Sequence, residues 1–389
     1  MAPHPRARRA LKWVAISTAA LVIVVAGGVV ADYFYLNGKI GTTCLKSCLP
    51  TGTHRPSKAP QALKAQNFVL IGSDTRAGTN GQGTGGSHIT GARSDTTIIV
   101  HISAHGSKAT LISIPRDSWV QIPSCVVNAS GQTSAPEMNK FNAAFSIGSQ
   151  YDNNYGPACT IHTIETLTGI RVDHFAVVDF AGFKRMVDAL GGVRMCVAKP
   201  LDDPIVHDAT GWHGTNLHLP SGQSVEIDGD QALALMRARY ALDGGGDLPR
   251  IRRQQQFTAA MIRKATSTSL LADPIKLQNF LSAAAGSLTT DGFGLGTMRK
   301  LAGALKRAGA GSVHLTTVPN LLSAPGLPYG DVEWDPQKAP ALWTAIRDDK
   351  PIPGTEGATR RRTSATPTPS ATPSSDASAL TASQPGCLS

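Results

Sequence analysis

TTIIVHISAHGSKATLISI, residues 96–114, is the stretch on which the fold turns. Two runs rich in β-branched residues, 96–103 and 109–114, are joined by AHGSK, and this pattern predicts a β-hairpin. Around it, strands alternate with helices. NFVLIG at 67–72 is a short apolar run ending in glycine, and FAVVDF at 175–180 is a further strand, followed by a helical AGFKRMVDALGG and a strand at VRMCV. Apolar spacing predicts helices at 140–148, 158–168, 229–237, 248–266, 274–285 and 294–308, with a strand near 312–318. A hairpin mixed with β–α–β units predicts an α/β fold, a mixed central sheet covered by helices on both faces. Ligands of such sheets bind where loops leave the strand ends.

The chain has 389 residues, 41% hydrophobic and 16% charged, enough for one large core or two small ones and unlike a disordered protein. Its formal charge of +10 favours phosphate-bearing partners but does not separate DNA from anionic lipid or wall polymer. Location separates them. Arg6, Arg8, Arg9 and Lys12 precede the uncharged run WVAISTAALVIVVAGGVVA at 13–31, and Tyr33, Phe34 and Tyr35 follow it. That order predicts a cytoplasmic tail at 1–12 and a single-pass membrane anchor at 13–36, with the rest of the chain outside the cytoplasm. A cleaved signal peptide is the rival reading, since Ala26, Gly27, Gly28 and Ala31 are small; it exports the chain equally.

Residues 37–64 read as a stalk, 65–350 as the folded unit, and 351–389 as a Ser/Thr/Pro-rich tail unable to bury a core. Six cysteines suit an oxidising compartment. A Cys125–Cys159 disulfide is expected, and Cys44–Cys48 after it, while Cys196 and Cys387 have no evident mate. Paired Cys/His spacing for zinc is missing from the sequence.

Several polar groups fall at predicted strand ends. The first strand runs into Asp74, and the next opens with Arg93-Ser94-Asp95, so two carboxylates are placed to face one divalent ion, magnesium or manganese; turn or cap aspartates are the plainer reading. Ile114-Pro115-Arg116-Asp117 points a guanidinium off a sheet edge, suited to phosphate oxygens or to a surface ion pair with Asp117. Lys140 opens a predicted helix and adds a point charge.

RARYALDGGGDLPRIRRQQ, residues 237–255, is a basic stretch with five arginines and two aspartates. Arg237 and Arg239 are two apart, so they serve one anion only where the chain leaves its helix. Asp247 reads as an N-cap of the following helix, with Pro249 in its first turn. Helical spacing then puts Arg250, Arg253, Gln254 and Phe257 on one side and Arg252 opposite. Gly244, Gly245 and Gly246 allow the two arginine groups to fold together; a solvated helix or a nucleic-acid face are the alternatives. GQGTGGS at 81–87 lacks the Gly-Lys-Ser/Thr ending of a phosphate-binding P-loop, and no GxSxG nucleophile elbow occurs in the sequence.

In order, NFVLIGSDTR, ARSDTTIIVHIS, LISIPRDSWVQIP, NKFNAAFSIG, VDHFAVVDFAGFKRMVDALGGV, DGDQALALMRARY and DLPRIRRQQQF resemble the LytR-CpsA-Psr family of cell-envelope proteins. The resemblance implies an α/β domain holding a polyprenyl pyrophosphate, and transfer of its glycopolymer to a peptidoglycan hydroxyl with release of polyprenyl phosphate. It also implies a membrane-bound protein with no nucleic-acid partner. It makes Asp74 and Asp95 the magnesium-associated carboxylates and Arg93, Arg116, Arg237, Arg239 and Arg250 the pyrophosphate ligands, joined by Lys140 and Gln254. Asp247 stands at the family's acidic position and is the candidate general base; Arg116, Arg239 and Arg250 are placed closest to the chemistry. The insertion GTNGQGTGGSHITG, between Asp74 and Asp95, departs from the family pattern. A pyrophosphatase using water as acceptor, and a membrane-bound transcription attenuator, are the rival functions.

Overall fold

The computed structural model describes residues 31–73, 93–208, 211–238, 242, 247–322, 330–353, 380–383 and 386–388. Asp74, Arg239, the glycine-rich insertion and all but the end of the expected anchor lie outside these residues, as does the side chain of Asp247. Among the described residues no helix is long and apolar enough to cross a membrane.

The hairpin read from 96–114 is the middle of the sheet. Strand β1 is Gly41–Thr42, β2 is Gln66–Ser73, β3 is Ser94–Ile102, β4 is Ala109–Ile114, β5 is Trp119–Ile122, β6 is Glu137–Lys140 and β7 is His174–Asp179. Across the large sheet the order is β1, Leu288–Thr290, β7, β2, β3, β4, Val313–Thr317 and Leu380–Thr381. β3 is antiparallel to β2 and to β4 (Leu70 opposite Ile98, Ile99 opposite Ile112), whereas β7 is parallel to β2 and Val313–Thr317 is parallel to β4. The carboxyl ends of β2, β4, β7 and Val313–Thr317 therefore share one edge of the sheet.

Period-2 alternation fills both faces. Val69, Ile71, Ile99 and Ile112 pack under Phe145 of α2 (Ala143–Gly148), Ile161 and Ile164 of α3 (Gly156–Thr168), and Leu342, Trp343 and Ile346 of helix Lys338–Arg347. Phe68, Ile98, Val100 and Leu111 point the other way, against Ala259 of α6 (Asp247–Ala265) and Ala304 of helix Leu295–Ala308. Each buried Val, Leu, Ile or Phe among them contributes about 1.5–3 kcal/mol. A separate apolar cluster joins α4 (Phe180–Ala189), α5 (Gly229–Arg237), the antiparallel pair Val193–Val197 and Gly222–Ile227, and Phe257 of α6. Helix α1, over 31–38, precedes β1. Asp179 caps α4 by accepting from Gly182 N at 2.6 Å, and Asp228 and Gln231 form a capping box on α5.

Four expectations differ from the structure. Lys140 does not open a helix: it ends β6, opposite Trp119, and α2 begins at Ala143. Antiparallel pairing with β5 and the bonds Phe141 N to Ser118 O (2.7 Å) and Asn142 N to Arg116 O (3.1 Å) hold this stretch extended. Residues of the expected stalk lie against the domain, since β1 pairs in parallel with Leu288–Thr290 and Ile40 and Leu45 are buried, as is Leu36 at the end of the expected anchor. The end of the expected tail is folded as well: Leu380–Thr381 pairs with His314 and Leu315, and Ala382 and Leu388 are buried. Finally, Cys196 and Cys387 are partners, 191 residues apart, beside the expected Cys125–Cys159 and Cys44–Cys48 disulfides.

Candidate functional site

At the shared strand ends the β2–β3 register slips. Gly72 faces Thr96 but Ser73 faces Ser94, so Asp95 is the extra residue of a β-bulge. A bulge re-aims the side chain it carries, and Asp95 Oδ1 receives Arg116 Nη1 at 2.5 Å. Pro115 ends β4, and a turn closed by Ser118 N to Pro115 O at 3.1 Å presents Arg116 and Asp117. Asp117 then stands between two cations, its Oδ2 3.5 Å from Arg116 Nε and its Oδ1 3.4 Å from Lys140 Nζ. Lys140 Nζ lies 2.7 Å from Oδ1 of Asp331. Arg93 is exposed just before β3.

Asp331 is the residue that sequence reasoning missed. An aspartate in PYGDVEW carries no motif, and its position is set by contacts more than 200 residues away in sequence, Val332 N to Asp117 O at 3.1 Å and Trp334 Nε1 to Ser118 Oγ at 3.0 Å. Burial works to lower the pKa of Lys140, but the carboxylates of Asp331 and Asp117 outweigh it, so the pKa is raised and the ammonium stays charged.

The basic stretch supplies the other side. α5 ends at Arg237 and the chain turns extended at Ala238 (φ −56°, ψ 129°), as two arginines spaced by two require. The Arg237 guanidinium lies 5.1 Å from the ring centre of Phe180, the residue following β7. The last carbonyls of a helix lack intrahelical partners. Here α6 supplies them, Gln254 Nε2 donating to Met236 O at 3.0 Å and Arg253 Nη2 to Ala238 O at 2.7 Å. Arg250, Arg253, Gln254 and Phe257 are buried and Arg252 is exposed, the facing that helical spacing predicts. Gln254, expected on the pyrophosphate, directs its amide nitrogen at the open carbonyl of α5.

Gln255 registers α6 on the sheet through bonds to Ser113 Oγ (3.1 Å), Thr316 O (2.8 Å) and Thr317 Oγ1 (3.0 Å). Further along, Ala259 and Ile262 pack with Val100 and Leu111, so α6 runs back over the sheet. Its first turn overhangs the strand ends, where Arg250 sits one and a half turns before Gln255, about 7.5 Å at 1.5 Å per residue.

A cavity of about 320 Å³ opens beside Ser73 and Asp179 at these ends, lined also by Thr43, Asn153, Asn154 and Ser287. Helices α4 and Pro274–Ala285 flank a second cavity of about 610 Å³, lined by Lys39, Arg185, Asp188, Asn279, Ser282 and Ala283. Among the described residues no cluster of three His, Cys, Asp or Glu is placed to hold a metal. Asp95 offers one carboxylate with one oxygen already on Arg116, which fits a hard cation held largely by substrate phosphate rather than by a protein cage.

With this geometry established, comparison with known proteins is decisive for the family. The model described as the LytR_cpsA_psr family matches residues 33–331. The chain belongs to the LytR-CpsA-Psr family. Among curated relatives, it is 35% identical over 288 residues to the probable cell wall biosynthesis protein LcpB of Corynebacterium glutamicum, covering 72% of this chain and 61% of that protein. It is 28% identical over 269 residues to the polyisoprenyl-teichoic acid–peptidoglycan teichoic acid transferase TagU of Oceanobacillus iheyensis, covering 68% of this chain and 73% of that one. The chain thus spans less than two thirds of the length of LcpB. In fold it is similar to the LytR-Csp2A-Psr enzyme from Actinomyces oris, with a TM-score of 0.55 and 22% identity, over 79% of this chain and 95% of that one. Asp95, Arg116, Lys140, Arg237 and Arg250 of this LytR-CpsA-Psr chain all lie within the matched span.

Proposed function

We propose that this LytR-CpsA-Psr protein transfers a glycopolymer from a polyprenyl pyrophosphate carrier to a peptidoglycan hydroxyl. The observation that carries the reading is the placement of two cationic groups at the carboxyl ends of the strands, Arg116 and Lys140 after β4 and Arg237 and Arg250 where α5 gives way to α6. The names of the relatives support the same chemistry. Guanidiniums bind diphosphate oxygens in bidentate fashion, and a fixed set of them stabilises charge that grows as the bridging oxygen departs. The acceptor oxygen forms a bond to the glycosyl-linked phosphorus, the bond from that phosphorus to the bridging oxygen breaks, and polyprenyl phosphate leaves. Asp247, at the start of α6, is the proposed acceptor of the hydroxyl proton.

Asp95, with Asp74 from the sequence, would hold a magnesium or manganese ion, which neutralises diphosphate charge when bound. Arg93 and Arg239 belong to the proposed pyrophosphate ligands. Residues 13–36 are the proposed membrane anchor, with the domain on the extracytoplasmic side, and the three disulfides support that side.

The test is product analysis. Purified protein, lipid-linked polymer and wall fragments should yield a covalent polymer–peptidoglycan phosphodiester detectable by mass spectrometry. Free polymer phosphate as the sole product would establish the pyrophosphatase instead.

A further inference from the structure

We infer that Asp331 is a positioning residue of this site: it fixes the Lys140 ammonium, and Asp117 links that ammonium to Arg116, so an arriving diphosphate meets two cations already in place. The inference rests on the proposed diphosphate chemistry and adds to it a residue that no motif marks. The side chain of Asp331 is fully buried, 0% exposed, and its one close charged neighbour among the described residues is Lys140 Nζ at 2.7 Å. Neither carboxylate oxygen accepts a hydrogen bond of normal geometry, so the ammonium is what compensates the buried charge. Burying an ion pair costs several kcal/mol per ion in desolvation, and an apolar pair of the same volume serves stability as well or better. A role toward the site accounts for the charge that stability alone does not.

The surroundings point the same way. Lys140 keeps 40% of its side chain exposed, so one side of the ammonium faces outward while Asp331 holds it from within. A lysine on a flexible four-carbon stem loses rotamer freedom when it grips a ligand, and prior fixation removes that cost from binding. The segment that presents Asp331 also holds the arginine turn, because Val332 bridges to Ser118 and its N–H donates to Asp117 O. Asp95, Arg116, Asp117, Lys140 and Asp331 thus alternate in sign along one line of contacts. On its own strand Lys140 has Glu137, bonded to Asn139.

The experiment uses the folded protein with lysines labelled by reductive ¹³C-methylation, the Lys140 signal being assigned with Lys140→Arg, and inorganic pyrophosphate titrated by calorimetry. Asp331→Asn should lower the pH at which the Lys140 signal titrates and weaken pyrophosphate binding about tenfold, with Asp331→Glu recovering part of both. A second pair guards against misfolding. Lys140→Met should lower the melting temperature by stranding the carboxylate, and Asp331→Leu added to it should restore the melting temperature without restoring pyrophosphate binding. An unchanged Lys140 titration in Asp331→Asn, or wild-type pyrophosphate affinity in the Lys140→Met, Asp331→Leu protein, overturns the inference. Wild-type protein that binds no pyrophosphate sinks the proposed function instead, and the Lys140 titration still decides whether Asp331 holds the ammonium.

Discussion

The two cationic regions at the strand ends are held by different means. Around β4, carboxylates do the holding: Asp95 on Arg116 at 2.5 Å, Asp117 between Arg116 and Lys140, and Asp331 on Lys140 at 2.7 Å. Where α5 meets α6, backbone and ring hold as well, with Arg253 on Ala238 O, Gln254 on Met236 O and Arg237 over Phe180. The first region answers to the loss of a single charge. The second answers to the fit of two helices.

The largest expected effect tests that difference directly. Arg116→Ala and Arg250→Ala should each reduce transfer by about 10²–10³-fold, the scale of losing a preorganised donor to developing charge. Only Arg250→Ala should also lower the melting temperature, because Arg250 is 3% exposed and Arg116 lies at a partly open turn. Equal melting curves would break the comparison. Next, Cys387→Ser should cost about 2–5 kcal/mol by opening a closure that spans 191 residues, read as a lower melting temperature. It should also loosen α6, since Gln256 Nε2 donates to Cys387 O at 3.1 Å. Gln254→Ala should cost about 1–3 kcal/mol by leaving the Met236 carbonyl unsatisfied, with a weaker pyrophosphate affinity by calorimetry. Arg252→Ala, on the exposed side of α6, should change transfer by no more than about twofold; a larger loss would mean that the helix presents the wrong face.

Acid sharpens the comparison from outside both regions. His162 on α3 and His314 have pKa values lowered from 6.5, chiefly by burial and, for His314, by the Lys108 charge as well. Each is held neutral when folded and takes up a proton more readily when unfolded. Their stabilisation is therefore complete above about pH 6.5 and falls progressively below it. Melting at pH 7.5 should exceed melting at pH 5.5, and His314→Gln should narrow the gap.

What the sequence disclosed was governed by short-range periodicity. The hairpin at 96–114, the helix bounds near 229–237 and 274–285, and the opposite facing of Arg250 and Arg252 all follow from neighbours within two turns or one reversal. What it withheld depends on partners distant in the chain. Asp331 acquires meaning only when Lys140 and Asp117 surround it, Cys196 only when Cys387 arrives, and Lys140 joins a strand because Trp119 is there to pair with it. Asp95 was legible as a candidate, but its aim was not, since a bulge is a property of register between two strands.

The pairing of Leu380–Thr381 with Val313–Thr317 also sets the timing of folding. Until residues 380–388 have been synthesised, a central-sheet neighbour of β4 carries an open row of backbone donors and acceptors, available to any passing strand. A nascent chain of this protein stays adhesive until that segment has emerged. Its need for protection from neighbours should end abruptly when that short segment docks, rather than fade as the core accumulates.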